Sequence, residues 1–265
     1  MYYSNKSSIL VSGKGNSSRS KMTSFTRILN LQRIIFLMCI VSSGDITWGM
    51  KDNNAILKDE IKVEKLGNYG KEQIDRNYNV VLLGDTKVGK TQILNKHVNG
   101  SFDDRHRPTT GFEFMNQKYK STINAGNKII QLHIVDTPGQ EEKYKTPLPD
   151  FAKDAQAIIL VYDITNEESF NNIKYNWLGC AKGHAHGNTV YFLVCNKADL
   201  KKKGAVTEKE AKEYAKEKNM QFFEVSAMKG DNVDKLFEDI VKECLIKDKD
   251  AIQNNKCCSC CPCNK

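Results

Sequence analysis

The 265-residue chain has no uninterrupted apolar stretch of the roughly 18 residues that a membrane-spanning helix needs, which excludes such a helix. Cysteine is scarce outside the last nine residues, which hold five of the nine cysteines. The other four are scattered, which excludes a disulfide framework of the kind that small secreted folds use. A net charge of +8 is modest: it permits contact with an anionic membrane but gives no reason to expect nucleic acid. The composition indicates a reduced, cytosolic globular domain.

Residues 1–76 show little sign of a packed core and are expected to form an extension. Residues 2–20 are rich in serine, asparagine and glycine, which is typical of disordered segments. The apolar run at residues 34–41 has the outline of a secretory signal, but it is short for one. The alternatives are a short amphipathic or buried helix, or an extension that lies partly outside the working protein. A start at Met50 would remove this run. Residues 50–76 are charged and are expected to form a flexible lead-in.

From residue 77 to residue 245, short apolar runs alternate with helical patterns. Strands are predicted at residues 80–83, 112–120, 128–135, 157–162, 190–195 and 221–225. Helices are predicted from residue 90 onward and over residues 169–181, 207–218 and 231–246. This alternation predicts an α/β domain with a mostly parallel six-stranded sheet and helices on both faces. Ligands of such sheets bind beyond the carboxyl ends of the strands.

The first motif follows the first predicted strand and opens a helix. It fits the phosphate-binding pattern GxxxxGK[ST] with residues Gly84, Asp85, Thr86, Lys87, Val88, Gly89, Lys90 and Thr91. The glycines let backbone N–H groups turn towards phosphate oxygens, Lys90 supplies a cation to the outer phosphates, and the Thr91 hydroxyl suits Mg²⁺. The alternative is a glycine turn before an ordinary helix, which the strand–loop–helix context disfavours.

The second motif, Asp136-Thr137-Pro138-Gly139-Gln140, follows the strand that ends at residue 135. An acidic residue at a strand end near phosphates can hold Mg²⁺, often through water. The Gly139 N–H can approach a γ-phosphate because no side chain blocks it. Gln140 can orient a water molecule for attack on that phosphate. Found alone, such a pattern is usually only a turn, but here it comes after a phosphate loop.

Two further motifs suit guanine. In Asn196-Lys197-Ala198-Asp199, the Asp199 carboxylate can accept two hydrogen bonds from guanine, whereas adenine lacks that donor pair. Asn196 can tie this loop to the phosphate loop, and the Lys197 stem can lie on the base. Ser226-Ala227 can offer a backbone N–H to the guanine carbonyl oxygen, although two residues alone mean little. A charged loop without a ligand is the alternative.

Taken in this order, each after a predicted strand, the four motifs resemble those of the Ras-like small GTPases, and among them the Rab family. Residues 160–170 and 231–237 add to the resemblance, which covers about residues 77–245. It implies a P-loop NTPase fold that binds GTP or GDP together with Mg²⁺.

The resemblance also implies roles for single residues. Phe102 would lie beside the guanine. The Mg²⁺ ligands would be Thr91, Thr109 and Asp136. The implied reaction is hydrolysis of GTP by in-line attack of water, with Gln140 and Lys90 as the catalytic residues.

The region after the second motif departs from the family pattern. Pro138 replaces an alanine and removes an N–H, while Pro147 and Pro149 oppose a short helix that the family often has there. These changes favour the alternative of a guanine-nucleotide-binding scaffold with negligible hydrolysis, whereas the intact Gln140 favours hydrolysis. A P-loop kinase for small molecules is disfavoured, because Asp199 selects guanine and no second substrate motif is present.

Residues 246–265 are expected to form a flexible, cysteine-rich tail. A terminal prenylation box needs cysteine at the fourth position from the end, where Pro262 stands. Cys261 and Cys263 have the Cys-x-Cys spacing common in Rab proteins and are the predicted lipidation sites. The alternatives are a thiolate metal cluster, which Cys-x-x-Cys spacings allow, and unmodified thiols.

The resemblance implies a monomeric molecular switch in intracellular vesicle traffic. The expected partners are effector proteins, an exchange factor, a GTPase-activating protein and a membrane reached through the lipidated tail, with no nucleic acid. The expected location is the cytoplasmic face of an intracellular membrane, in exchange with the cytosol.

Overall fold

The computed structural model describes residues 58, 60–67, 72–105, 109–123, 126–139, 153–185 and 187–259. The strands are β1 Lys62–Lys65, β2 Arg76–Leu83, β3 Glu113–Ile123, β4 Gly126–Asp136, β5 Ala157–Asp163, β6 Val190–Asn196 and β7 Gln221–Glu224. The helices are α1 Lys90–Asn99, α2 Glu167–Asn172, α3 Leu178–His184, α4 Glu208–Glu217 and α5 Val233–Ser259. A π-helical turn, Ile173–Trp177, joins α2 to α3, and a 3₁₀ segment, Ala198–Lys203, follows β6.

The strands form one sheet in the order β1-β3-β4-β2-β5-β6-β7. Neighbouring strands from β4 through β2, β5 and β6 to β7 are parallel, whereas β3 is antiparallel to β4 and β1 is antiparallel to β3. The predicted mostly parallel α/β sheet is therefore confirmed for β2 to β7, and β1 adds a seventh strand.

Strand β2 shows how one sequence run supports two hydrophobic cores. Val80 and Leu82 belong to the core that includes residues of α1 and α5. Val81 and Leu83 belong to the core that includes residues of α2, α3 and α4. Successive side chains of a strand point to opposite faces, so a strand covered on both faces is apolar throughout.

Strand β1 lies in the segment expected to be a flexible lead-in, and that expectation is wrong for these residues. β1 pairs with β3 along its four residues. Just before it, Ile61 is only 2% exposed and joins the core of α1 and α5. The Lys58 ammonium lies 2.9 Å from a Glu243 oxygen and 3.5 Å from an Asp239 oxygen, both on α5. Part of the N-terminal extension is therefore built into the domain.

Helix α5 continues to Ser259, well into the segment predicted to be a flexible tail. Ile246 is 2% exposed, and the Tyr78 hydroxyl donates a hydrogen bond of 2.7 Å to Asp248. The beginning of the predicted tail is therefore helical and packed on the sheet, whereas Cys261 and Cys263 lie outside the described residues. None of the helices in the described ranges is long and apolar enough to span a membrane.

A polar cluster around the fully buried His97 ring joins α1 to β1, β3 and α5 and reaches the surface at Asp234. The His97 ring is fully buried, with Nε2 2.5 Å from the Tyr119 hydroxyl oxygen and Nδ1 2.6 Å from Asp234 Oδ1. The Lys65 ammonium donates to the same Asp234 oxygen and to the His97 carbonyl. Burial lowers the pKa of His97 to about 4, helped by the charge of Lys65 and opposed by Asp234. The ring is therefore neutral at pH 7, with Nδ1–H donating to Asp234.

We expect His97 to make the fold sensitive to acid. Its pKa is about 4 in the folded protein and about 6.5 in an unfolded chain. The unfolded state therefore binds the proton more readily, and stability present above about pH 6.5 is lost as the pH falls towards 4. The free energy of unfolding, measured with urea, should fall by about 2 to 3 kcal/mol between about pH 7.5 and 4.5 through this residue.

The control is His97→Phe, which keeps an aromatic ring against Phe237, whose centroid lies 4.0 Å from that of His97. This variant should lose the His97 part of the pH dependence. If wild type and variant lose the same free energy of unfolding in acid, His97 is not the responsible group.

Candidate functional site

A cleft of about 270 Å³ opens at the carboxyl ends of β2, β4 and β6. Its walls include most of the residues that the sequence predicts to bind nucleotide, namely Thr86, Lys87, Gly89, Lys90, Thr91, Phe102, Thr109, Gly139, Asn196, Lys197, Asp199 and Ala227. Gly84, Asp85, Val88, Asp136 and Ser226 lie behind this wall, all of them buried. Gln140 lies outside the described residues.

Close contacts and one positive φ angle explain the glycines of the phosphate loop. A Cβ on Gly84 would lie 2.2 Å from the Val161 carbonyl oxygen, and a Cβ on Gly89 would lie 2.4 Å from Asn196 Nδ2. Gly89 precedes α1 with φ 94° and provides no side-chain cap. The first N–H groups of α1 therefore have no capping side chain, and such groups are available to an anion.

Lys90 provides a buried positive charge at the base of the loop. Its ammonium donates hydrogen bonds of 2.7 Å to the Gly84 carbonyl and 2.8 Å to the Asp85 carbonyl. Burial lowers the pKa of Lys90 to about 8, although Asp136 and Asp85 oppose this. A Cβ on Gly139 would lie 2.5 Å from the Lys90 nitrogen, so the Gly139 backbone is directly beside this cation.

Three oxygen-bearing side chains meet next to Lys90. The Thr91 hydroxyl lies 2.5 Å from Asp136 Oδ2 and 2.8 Å from the Thr109 hydroxyl. The other Asp136 oxygen, Oδ1, is buried and has no hydrogen-bond partner among the described residues. Burial raises the pKa of Asp136, opposed by the Thr91 hydrogen bond and the Lys90 charge. Hydroxyl and carboxylate oxygens with one unsatisfied acceptor suit a hard cation such as Mg²⁺.

The predicted guanine-binding residues are tied to one another and to the phosphate loop. Asn196 Nδ2 donates to the Val88 carbonyl at 2.8 Å, and Asn196 Oδ1 accepts from the Ala227 N–H at 3.2 Å. Asp199 accepts a hydrogen bond of 2.5 Å from the Ser226 hydroxyl. These contacts hold the Asn196–Asp199 segment and the Ser226-Ala227 pair on one side of the cleft.

Lys197 and Phe102 complete the walls of the cleft. The Lys197 backbone is in the left-handed region with φ 62°, and its ammonium lies 2.5 Å from an Asp163 carboxylate oxygen. That ion pair directs the charged end to β5 and leaves the aliphatic stem in the wall. Phe102, 39% exposed, also lines the cleft and offers a flat apolar face to a base.

The Asp85 side chain has a structural role that the motif does not indicate. It is 4% exposed and accepts hydrogen bonds of 2.7 Å from the Trp177 indole N–H and 2.8 Å from Asn172 Nδ2. The Asp85 carboxylate therefore fixes the phosphate loop to α2 and the π-helical turn, while its backbone carbonyl accepts from Lys90. Trp177 and Asn172 could not be recognised from the sequence as partners of Asp85, because they are 92 and 87 residues away from it.

Comparison with known proteins agrees with this geometry. The sequence model of the Ras family matches residues 79–246. The Ras-related protein Rab-13 of Canis lupus familiaris is 36% identical over 173 residues, which are 65% of this chain and 82% of that protein. The Ras-related protein RABA4d of Arabidopsis thaliana is 37% identical over 177 residues, 67% of this chain and 77% of the relative. The Ras-related protein RGP1 of Oryza sativa subsp. japonica is 34% identical over 194 residues, with coverages of 72% and 83%.

The family match spans β2 to the middle of α5 and so includes every described motif around the cleft. It leaves out β1 and the last turns of α5. The chain therefore belongs to the Ras family, as a Ras-like small GTPase of the Rab type.

Proposed function

We propose that this small GTPase binds GTP and GDP with Mg²⁺ in the cleft, hydrolyses GTP slowly, and recruits effector proteins in vesicle traffic. One observation supports the nucleotide assignment above all others. The buried Lys90, the Thr91–Thr109–Asp136 cluster and the Asn196–Asp199 segment line or back a single cleft, in the order in which phosphates, metal and base would occupy it.

The residues around the phosphates would perform the chemistry as follows. The Lys90 ammonium and the loop N–H groups bind the phosphate oxygens and stabilise the charge that develops on them during hydrolysis. Thr91, Thr109 and Asp136 would hold Mg²⁺, which supplies further positive charge to the same oxygens. The Gly139 N–H would approach the γ-phosphate, and Gln140 would orient the attacking water.

The switch would arise because Thr109 and Gly139 both belong to loops and would both lie at the γ-phosphate end of the nucleotide. GTP then holds both loops in place, and hydrolysis releases them. Phe112 and Phe114, which are 40% and 66% exposed, follow Thr109 and suit an effector surface. An exchange factor and a GTPase-activating protein are the expected regulators of the monomeric protein. Lipid on Cys261 and Cys263 would anchor it to the cytoplasmic face of an intracellular membrane, in exchange with the cytosol.

A guanine-nucleotide-dependent scaffold without turnover is the second candidate. In the second motif, Pro138 directly precedes Gly139, and it has no N–H that could donate a hydrogen bond to a phosphate. Under this alternative the nucleotide stabilises one arrangement of the loops and is not hydrolysed.

The two candidates are separated by identifying the nucleotide in purified full-length protein and following a single turnover of GTP. We expect bound guanine nucleotide and slow conversion of GTP to GDP, slowed further by Gln140→Leu because the attacking water loses its orienting group. Bound guanine nucleotide without conversion would favour the scaffold. Protein that binds no guanine nucleotide would overturn both.

Asp199→Asn should weaken GTP binding, because the neutral amide cannot accept charge-assisted hydrogen bonds from the guanine N–H groups. The expected loss is on the order of 2 kcal/mol, measured by titration with GTP. Glu213→Gln makes the same chemical change on the exposed face of α4, where the Glu213 side chain is 69% exposed, and should leave affinity unchanged. Equal GTP affinity in wild type and Asp199→Asn would contradict guanine recognition by this residue.

At least two tail cysteines are expected to bear lipid, because stable membrane attachment needs two chains or one chain with a basic patch. Lys247 and Lys249 are offset by Asp248 and Asp250, so the patch is weak. Intact mass of protein from its native cell should show lipid, and the double substitution Cys261→Ser, Cys263→Ser should move the protein to the soluble fraction. Wild-type protein that is soluble and free of lipid would contradict lipid anchoring. Stoichiometric zinc in that protein would instead support a thiolate metal cluster in the tail.

A further inference from the structure

Lys87 is a second lysine in the phosphate loop, and the interactions of the fold do not explain it. Lys87 is exposed and is one of the residues that line the cleft, three positions before the buried Lys90. Among the described residues, none forms a hydrogen bond or ion pair with the Lys87 ammonium. Besides Lys87 and Lys90, the described residues of the cleft wall include one more lysine, Lys197, which is paired with Asp163.

The backbone at Lys87 makes a side chain at this position unfavourable. Its φ is 65°, in the left-handed region where glycine is accommodated without strain and a residue with a Cβ is not. A glycine would hold the loop in the same shape more easily. The lysine side chain, and not the course of the backbone, is therefore the feature that needs a reason.

We propose that the Lys87 ammonium binds a phosphate oxygen of the bound guanine nucleotide from the exposed rim of the cleft and thereby slows its release. The proposal rests on the nucleotide site described under the proposed function. Lys90 contacts the phosphate oxygens from the buried side of the cleft, and Lys87 contacts the same oxygens from the solvent side. Because GDP and GTP share their inner phosphates, release of both is slowed.

A neighbouring acidic residue is the competing partner for Lys87. Asp103 and Asp104, in the loop after α1, line the same cleft. Asp103 is held by Arg105 through contacts of 3.0 and 3.1 Å, so Asp104 is the carboxylate to consider. The loop that contains Lys87 surrounds the phosphates, and a diphosphate has more negative charge than one carboxylate. The phosphate is therefore the favoured partner, and the two assignments predict opposite effects of removing Asp104.

The test is the rate at which tritiated GDP dissociates from the full-length protein in excess unlabelled GDP, measured at low and high salt. Lys87→Gln should accelerate dissociation roughly two- to fivefold at low ionic strength, which is the size expected for a partly exposed charge pair. The difference should shrink in about 0.5 M NaCl, because salt screens exposed charges. Lys87→Arg should restore the wild-type rate. Lys202→Gln is the matched control, because Lys202 is also an exposed lysine but is not among the described residues that line the cleft.

Asp104→Asn distinguishes the two partners. If Lys87 binds phosphate, this variant releases GDP no faster than wild type, since a negative charge has been removed from beside the phosphates. If it reproduces the acceleration of Lys87→Gln, Lys87 acts by pairing with Asp104, and the phosphate assignment is overturned. Equal rates for wild type and Lys87→Gln also overturn it while leaving the proposed function intact. Wild-type protein that binds no GDP overturns the proposed function and this inference together.

Discussion

The shape of the cleft depends on the two hydrogen bonds of the Asn196 side chain. This residue stands at the end of β6, is 1% exposed, and uses its amide in both directions, donating to the phosphate loop at Val88 and accepting from Ala227 after β7. An aspartate could not donate and an aliphatic residue could do neither, so an amide is needed. The same Nδ2 atom leaves no room for a side chain at position 89. One buried group therefore fixes the distance between the part of the cleft suited to phosphates and the part suited to a base.

Burial of opposite charges makes the phosphate side of the cleft depend on its ligands. Burial lowers the pKa of Lys90 to about 8 and raises the pKa of Asp136, so each group is pushed towards its neutral form. Each opposes that shift in the other, and within the described part of the chain one Asp136 oxygen has no partner. A phosphate beside Lys90 and a cation beside Asp136 would supply the missing opposite charges. Ligands that bind the folded state alone also raise its stability, so nucleotide binding and domain stability should be coupled.

The sequence was sufficient to predict a strand or a site residue wherever the residues that determine it are close together in the chain. Apolar runs followed by glycine, by Asp136 and by Asn196 predicted the parallel strands and the edge at which their ends meet. It was insufficient wherever the partner is distant. The sequence KVEK of β1 is a strand because β3 offers an unpaired edge, and the charged pattern gives no sign of this. The contacts of the Asp85 carboxylate with Trp177 and Asn172 could not be predicted either, because only the folded chain brings these residues close.

The course of α5 bears on how the proposed lipid anchor would present the cleft. The helix begins close to the Ser226-Ala227 turn, at the cleft end of the sheet, and by Asp248 it has reached Tyr78 near the start of β2. Because β2 runs from Tyr78 towards the phosphate loop, α5 runs in the opposite direction and ends away from the cleft. Lys58 forms an ion pair with the same helix, and Ile61 belongs to the core that this helix covers. A lipid attached beyond Ser259 would therefore hold the domain by the end remote from the nucleotide, leaving the cleft and the loops beside it open to regulators.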